Sequence, residues 1–313
     1  MIRLAVLDTP SHRSSHARPT PKGGGVGVIV AFLVFVPAAL WWRGGGIPVD
    51  TLAILGAVAA LALISWFDDL RQFPPLVKLL AQALTAAVIL WGLGPLPTWR
   101  LPGLAISFGW LLFVTNALNF IDGLNGLAAG SMALACLFIG LTAPAVPTGS
   151  GGLQGVAALV LASGLTGFLP FNYPRARIFL GDVGSQGAGL AVAAFGLLRW
   201  QDTSAGSLLV MPLLLCGILY DVAFTLCRRW LAGERLHEAH RSHLYQLAFR
   251  SGVPAPLVAL LHWGFVLWGG AIATFVCHGA VTMPLAVTLA LVPQLAWTAS
   301  VIRRARRAAL GRW

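Results

Sequence analysis

Acidic residues are scarce in this chain: only ten Asp and Glu occur among 313 residues. Asp8, Asp68, Asp69, Asp122 and Asp182 each sit in a short polar run between long apolar stretches, and Asp221 lies near the end of another such stretch. Carboxylate oxygens are hard donors that suit Mg²⁺, an ion that keeps several waters and is usually shared with substrate phosphates. Lys22, Lys78 and Arg241 add the point charges and forked donors that phosphate oxygens favour. The glycines at 23–25, with Gly123 and Gly126, would let backbone N–H groups approach an anion. Acids, a divalent cation, bases and glycine turns together point to phosphoryl transfer, in which positioning and charge neutralisation carry most of the catalysis. Each feature also has a plainer reading. Asp68-Asp69 can end a membrane span, Asn116 and Asn119 can hydrogen-bond between helices, the Gly run can serve helix packing, and His240 and His243 can be solvated loop residues.

The elements that must position these residues follow from composition. Hydrophobic residues make up 58% of the chain and charged ones 10%, and the mean hydropathy is +0.81. Soluble domains carry about 25% charged residues. The apolar runs approach the roughly 20 residues that cross a bilayer as a helix. With no alternating barrel pattern, the expectation is an all-α polytopic membrane bundle. Ten spans are read, at 24–42, 50–67, 76–93, 104–121, 124–144, 153–172, 184–200, 205–227, 256–277 and 283–302.

With the N-terminus inside, all but three of the 21 Lys and Arg residues fall on the inner side, leaving Arg43, Arg100 and Arg199 outside. That asymmetry predicts both termini in the cytoplasm, residues 145–152 outside and 230–250 inside. The polar clusters then share the cytoplasmic face, and a cytoplasmic active-site cleft gives a reason for costly acids to gather there. The net charge of +11 suits anionic headgroups and phosphorylated substrates without invoking nucleic acid. Cys136, Cys216, Cys227 and Cys277 lie in apolar runs and read as small core residues. His12, His16 and His237 read as loop residues, His262 and His278 as unrelated to the site. Trp41, Trp42, Trp91, Trp99, Trp200 and Trp313 read as interfacial anchors. The whole chain, 1–313, is one integral membrane domain, with a cytoplasmic motif segment at 8–25 and a cytoplasmic loop at 228–255.

Five motifs occur in a familiar order: DTPSHRSSHARPTPKGGG (8–25), DDL (68–70), NALNFIDGLNGLA (116–128), FNYPRARIFLGDVGSQ (171–186) and HRSHLYQ (240–246). In these the chain resembles, over about residues 8 to 250, the polyprenyl-phosphate N-acetylhexosamine-1-phosphate transferases of glycosyltransferase family 4. These include undecaprenyl-phosphate N-acetylglucosamine-1-phosphate transferases. The resemblance implies a bacterial inner-membrane enzyme that moves a sugar-1-phosphate from a UDP-N-acetylhexosamine to undecaprenyl phosphate. UMP is released, Mg²⁺ or Mn²⁺ is required, and O-antigen or another envelope polysaccharide begins. A homodimer is a further expectation.

The resemblance also implies roles. Asp68 becomes a base toward the lipid phosphate, Asp69 a metal or phosphate ligand, Asp182 the metal ligand, and Asp122, the Asp of the family's DG motif, a catalytic residue. Asn119, Asn125 and Asn172 fall near the donor, Phe179 where uracil stacks, and Lys22 and Lys78 toward phosphates. His240, Arg241 and His243 would meet the donor's phosphates or sugar. The loop reads HRSH where the muramoyl-pentapeptide transferases carry three histidines, which makes that peptidoglycan activity the second choice. A cation-coupled transporter is the alternative from another class; it would hold its acids at mid-membrane between matched broken helices. Relatives also carry one more span ahead of the first motif, so the chain as written is expected to be less stable than one extended upstream.

Overall fold

A computed structural model describes residues 7–8, 19–44, 46–94, 100–143, 150–201, 207–236, 238 and 240–310. The helices follow the order read from hydropathy: α1 (Gly24–Trp42), α2 (Val49–Arg71), α3 (Pro75–Leu93), α4 (Arg100–Phe120), α5 (Leu127–Thr142), α6 (Ser150–Asn172) and α7 (Gly181–Gln201). The eighth span is broken into α8 (Ser207–Leu214) and α9 (Cys216–Leu231), bent by 72° at Leu215. A short α10 (Leu244–Arg250) sits in the large loop, and α11 (Ala255–Cys277) and α12 (Met283–Arg307) close the bundle. A two-residue strand β1 (Leu7–Asp8) pairs antiparallel with β2 (Thr20–Pro21).

Seven of these helices are long and apolar enough to cross a membrane, and the bent α8–α9 pair makes an eighth. Large apolar side chains such as Phe35, Leu84, Leu267 and Leu295 stand exposed on α1, α3, α11 and α12. Such a surface is a liability in water and the ordinary outer coat of a protein in lipid. This is a multi-pass membrane protein. α5 falls outside the seven because it has only 16 residues, and α7 because glycine and polar side chains make it less apolar. Every residue of α7 from 183 to 198 is buried. Gly184, Gly187, Gly189, Gly196 and the alanines between them let α1, α2, α4, α5, α6 and α8 all pack against it. Trp110 lies over Gly196 and donates to the Ala193 carbonyl at 2.9 Å.

Two minor expectations shift. Cys136 and Cys216 are core residues, whereas Cys227 and Cys277 are exposed on helix surfaces. Trp41, Trp42 and Trp91 stand exposed at helix ends, but Trp200 packs on Trp110 with ring centroids 4.5 Å apart. Trp99, Trp313, His12, His16 and His237 lie outside the described residues, as does most of the 8–25 segment.

Candidate active site

The termini of α2, α3, α4 and α7 meet at one end of the bundle, where they bring the scattered acids together. Asp68 and Asp69 end α2. The α2 chain stops there because Gln72 adopts a left-handed conformation (φ 52°) and Pro74 and Pro75 start α3 afresh. One turn into α3, Lys78 ion-pairs with Asp68 and lies 3.7 Å from Asp182 Oδ2. Asp182 occupies the first turn of α7, after Gly181 (φ 72°) has turned the chain. Its Oδ1 accepts from Asn119 Nδ2 of α4 at 3.3 Å, and its Oδ2 from Gln186 Nε2 at 3.3 Å.

Asp69 faces the same spot, its Oδ2 3.6 Å from where a Cβ on Gly181 would stand. Lys22 reaches Asp69 Oδ1 at 3.9 Å. The segment carrying Lys22 is stitched to the turn before α7. Phe179 N–H donates to Pro21 O, Gly24 N–H to Phe179 O and Gly25 N–H to Leu180 O, each at 2.9 Å. Asp122, in the turn between α4 and α5, interacts electrostatically with Asp182, Asp69 and Lys22. Burial, then Asp182, pushes its carboxyl well above the usual carboxylate range.

Four carboxylates and two lysines thus share one end of the bundle. Among the described residues, no three Asp, Glu, His or Cys side chains form a ready-made metal cage. The carboxylates still outnumber the lysines, and their oxygens are the donors a hard divalent cation prefers. The residues fit an ion whose remaining ligands come from substrate and water.

The second cluster is the HRSH loop. Its anchor is Asp221 on α9, a buried acid that the sequence shows without any hint of its partners. Asp221 Oδ1 accepts the Leu244 N–H at 2.8 Å and Oδ2 the Tyr245 N–H at 3.0 Å. His243 Nδ1 lies 3.3 Å from Oδ1. Arg229, also buried, bonds Glu234 at 2.7 Å and the Arg235 carbonyl at 2.8 Å, folding the chain back after α9. Tyr245 OH donates to Phe120 O at 2.8 Å, and the ring of Phe120 lies 6.0 Å from that of His243. The loop therefore abuts the Asp122 turn.

His240 Nδ1 accepts from the Ser242 N–H at 3.4 Å, so its proton sits on Nε2. Burial, then His243, Arg229 and Arg228, lowers its pKa to about 4. At neutral pH it is an uncharged ring and not a counter-charge for phosphate. Arg241 is half-buried, and its carbonyl accepts from Arg250 at 2.9 Å.

Three expected roles look different in space. The Gly24 and Gly25 N–H groups are already bonded, and Gly25 lies against Gly184 while Gly24 faces Phe168. Gly24 and Gly25 pack α1 on its neighbours, and their N–H groups are not open to an anion. Asn172 is buried, accepting from Gly126 N–H at 2.6 Å and donating to Ile178 O at 3.0 Å. That makes it a brace between two turns, as does the 3.3 Å bond from Asn125 to Pro174 O. Asp68 is buried and has both oxygens engaged, one by Lys78 and one by the Phe73 N–H at 2.7 Å. A carboxylate held so is better suited to fixing Lys78 than to taking a proton. Phe179 stays half-buried beside Lys22.

Comparison with known proteins decides the family. Residues 51–199 match the model of glycosyl transferase family 4. A probable undecaprenyl-phosphate N-acetylglucosaminyl 1-phosphate transferase of Bacillus subtilis is 30% identical across 85% of this chain and 76% of its own. The chain belongs to glycosyl transferase family 4. A decaprenyl-phosphate N-acetylglucosaminephosphotransferase of Mycolicibacterium smegmatis is 28% identical across 94% of this chain and 82% of its own. A phospho-N-acetylmuramoyl-pentapeptide-transferase of Synechococcus sp. JA-3-3Ab is 32% identical, covering 83% of each chain. The stretch matched by the family 4 model holds Asp68, Asp69, Lys78, Asn119, Asp122 and Asp182. Lys22 and the HRSH loop lie outside it.

Proposed function

We propose that this family 4 enzyme transfers N-acetylglucosamine-1-phosphate, or a close N-acetylhexosamine-1-phosphate, from its UDP-sugar to a polyprenyl phosphate, with undecaprenyl phosphate the expected acceptor. An oxygen of the lipid phosphate attacks the sugar-bearing phosphorus, the P–O bond to the uridylyl group breaks, and UMP leaves. The observation that carries this reading is the meeting of Asp68, Asp69, Asp122 and Asp182 with Lys22 and Lys78 at one end of a membrane bundle. Both substrates carry phosphate and one is a membrane lipid, so the chemistry belongs at a helix-end face.

Asp182 and Asp69 are the residues that would hold Mg²⁺ or Mn²⁺. A bound divalent ion supplies neutralisation of the charge on the diphosphate and draws down the carboxyl of Asp122. Lys78, steadied by Asp68, and Lys22, steadied by Asp69, are cations that can exchange part of their carboxylate pairing for incoming phosphate oxygens. His243, fixed by Asp221 through Nδ1, turns its other ring nitrogen to the donor sugar, neutral His240 offers its Nε2–H, and Arg241 adds a fork. The face is assigned to the cytoplasm of a bacterial inner membrane, where nucleotide sugars are made, and the product would begin an envelope polysaccharide.

The test is UMP release by the purified protein, with undecaprenyl phosphate and a panel of UDP-GlcNAc, other UDP-N-acetylhexosamines and UDP-MurNAc-pentapeptide, across a Mg²⁺ titration. Turnover of UDP-GlcNAc or a sister hexosamine supports the proposal. Turnover of the pentapeptide donor alone moves the chain to the muramoyl-pentapeptide class. No UMP from any donor, with cation uptake into vesicles instead, would favour a transporter.

A further inference from the structure

A line of three amides, two of them fully buried, runs from the interior of the bundle to Asp182, and apart from one longer return bond its hydrogen bonds are donated toward that carboxylate. Asn116 of α4 donates through Nδ2 to the Leu112 carbonyl at 2.8 Å and to Gln82 Oε1 at 2.7 Å. Gln82 of α3 donates through Nε2 to Gln186 Oε1 at 3.1 Å, and returns a 3.3 Å bond to Asn116 Oδ1. Gln186 of α7 donates through Nε2 to Asp182 Oδ2 at 3.3 Å. Gln82 and Gln186 are 4% and 3% exposed, so water does not stand in for these partners.

Both ends of the line accept only. A backbone carbonyl has no hydrogen to give, and neither does the carboxylate form that a metal ligand must take. Asp182 thus requires the NH₂ of Gln186, which turns the carbonyl of Gln186 toward Gln82. Gln82 must then present its own NH₂ and accept from Asn116. No amide in the row can flip without setting oxygen against oxygen. Bonds aligned this way polarise one another, which strengthens the last donor, the one at the carboxylate.

We propose that Gln82, which touches no substrate, is a positioning residue for the reaction: through Gln186 it sets the orientation of the Asp182 carboxylate and so the affinity of the divalent-ion site. This rests on the metal-dependent phosphoryl transfer proposed above. It fits the general behaviour of groups behind a metal ligand, whose loss weakens binding by roughly 10–100-fold.

The experiment uses the full chain in detergent or nanodiscs, with Mn²⁺ binding read from the electron paramagnetic resonance of the free ion, with and without UDP-GlcNAc. Melting temperature, kcat and donor KM are recorded beside it. Gln82→Met keeps length and burial but removes donor and acceptor. It is expected to raise the Mn²⁺ dissociation constant about tenfold or more and to lower kcat, with donor KM within about twofold. Gln82→Glu, which reverses the polarity at Gln186, should lose more Mn²⁺ affinity than Gln82→Met. Should Gln82→Met not fold, Gln186→Met breaks the same line one residue further on and is expected to give the same Mn²⁺ loss. Folded variants that bind Mn²⁺ as wild type does, with only the melting temperature lowered, overturn the inference and leave the transferase reading standing. Wild type that binds no Mn²⁺ with or without UDP-GlcNAc overturns the metal reading and this inference together.

Discussion

The carboxylate of Asp221 lies 3.3 Å from Nδ1 of His243, which is 22 residues further along the chain and beyond a loop. The same carboxylate accepts the first two N–H groups of α10, so one side chain fixes both a ring and a helix start. Asp221→Ala would leave those two N–H groups without their acceptor. The expected cost is about 3 kcal/mol, measured as a fall in melting temperature. Asp221→Asn keeps an acceptor oxygen and should lose about 1 kcal/mol. If the loop serves the donor, both variants raise donor KM more than acceptor KM; equal change in the two would separate the anchor from donor binding.

Stability should depend on pH through His240. Its pKa in the folded protein is about 4, below the ordinary value of 6.5, because burial disfavours the charged ring and His243, Arg229 and Arg228 repel it, against a smaller pull from Glu234. Between pH 4 and 6.5 the unfolded chain therefore binds more protons than the folded one. The contribution is fully present above about pH 6.5, declines as pH falls toward about 4, and is then lost. Melting temperature measured from pH 7 to pH 4.5 should drop less steeply in His240→Gln than in wild type. Parallel curves for the two would show that the ring's environment is not what sets the slope.

Asp182→Asn keeps shape and removes charge. The fold should survive and Mg²⁺-dependent UMP release should fall on the order of a thousandfold. Asp68→Asn should also lower kcat, because Lys78 loses the partner that holds it near Asp182. If Asp68 acts through Lys78, Lys78→Met combined with Asp68→Asn is little worse than either alone. Additive losses would restore a separate role for Asp68, such as proton removal from the lipid phosphate.

Gly25→Ala tests how α1 is held against α7. A Cβ at residue 25 would collide with the backbone of Gly184, and the Leu180 carbonyl lies 2.6 Å away. Backbone cannot yield as a side chain can, so the expected loss is about 2 kcal/mol. Lys22, three residues earlier, moves with the displaced helix, so kcat should fall as well. A variant as stable and active as wild type would mean the two helices can separate at no cost.

Much of this arrangement is legible in the sequence, for identifiable reasons. Asp68-Asp69, Asp122 and Asp182 stand out because ionisable residues are rare in apolar runs, and the hydropathy pattern alone gives the helix order. Gln82 does not stand out, since a glutamine inside a span reads as one more interhelical bond. The break at Leu215 is hidden, because Pro212 and Gly217 sit in an unbroken apolar run that hydropathy counts as a single span. The hold of Asp221 on Leu244 and Tyr245 depends on how a loop returns, which no periodicity encodes. The GGG run misleads in the other direction: its composition suits an anion, and only the fold shows that the N–H groups of Gly24 and Gly25 are taken.

The burial of α7 has an evolutionary consequence. With six helices pressed against glycine and alanine along its length, the floor of the site has no room for a bulkier residue and no surface on which one could be accommodated. Room for a different side chain is therefore to be sought away from α7, as in the half-buried Arg241 of the HRSH loop. One catalytic floor can then be inherited intact by enzymes that part ways over their sugars.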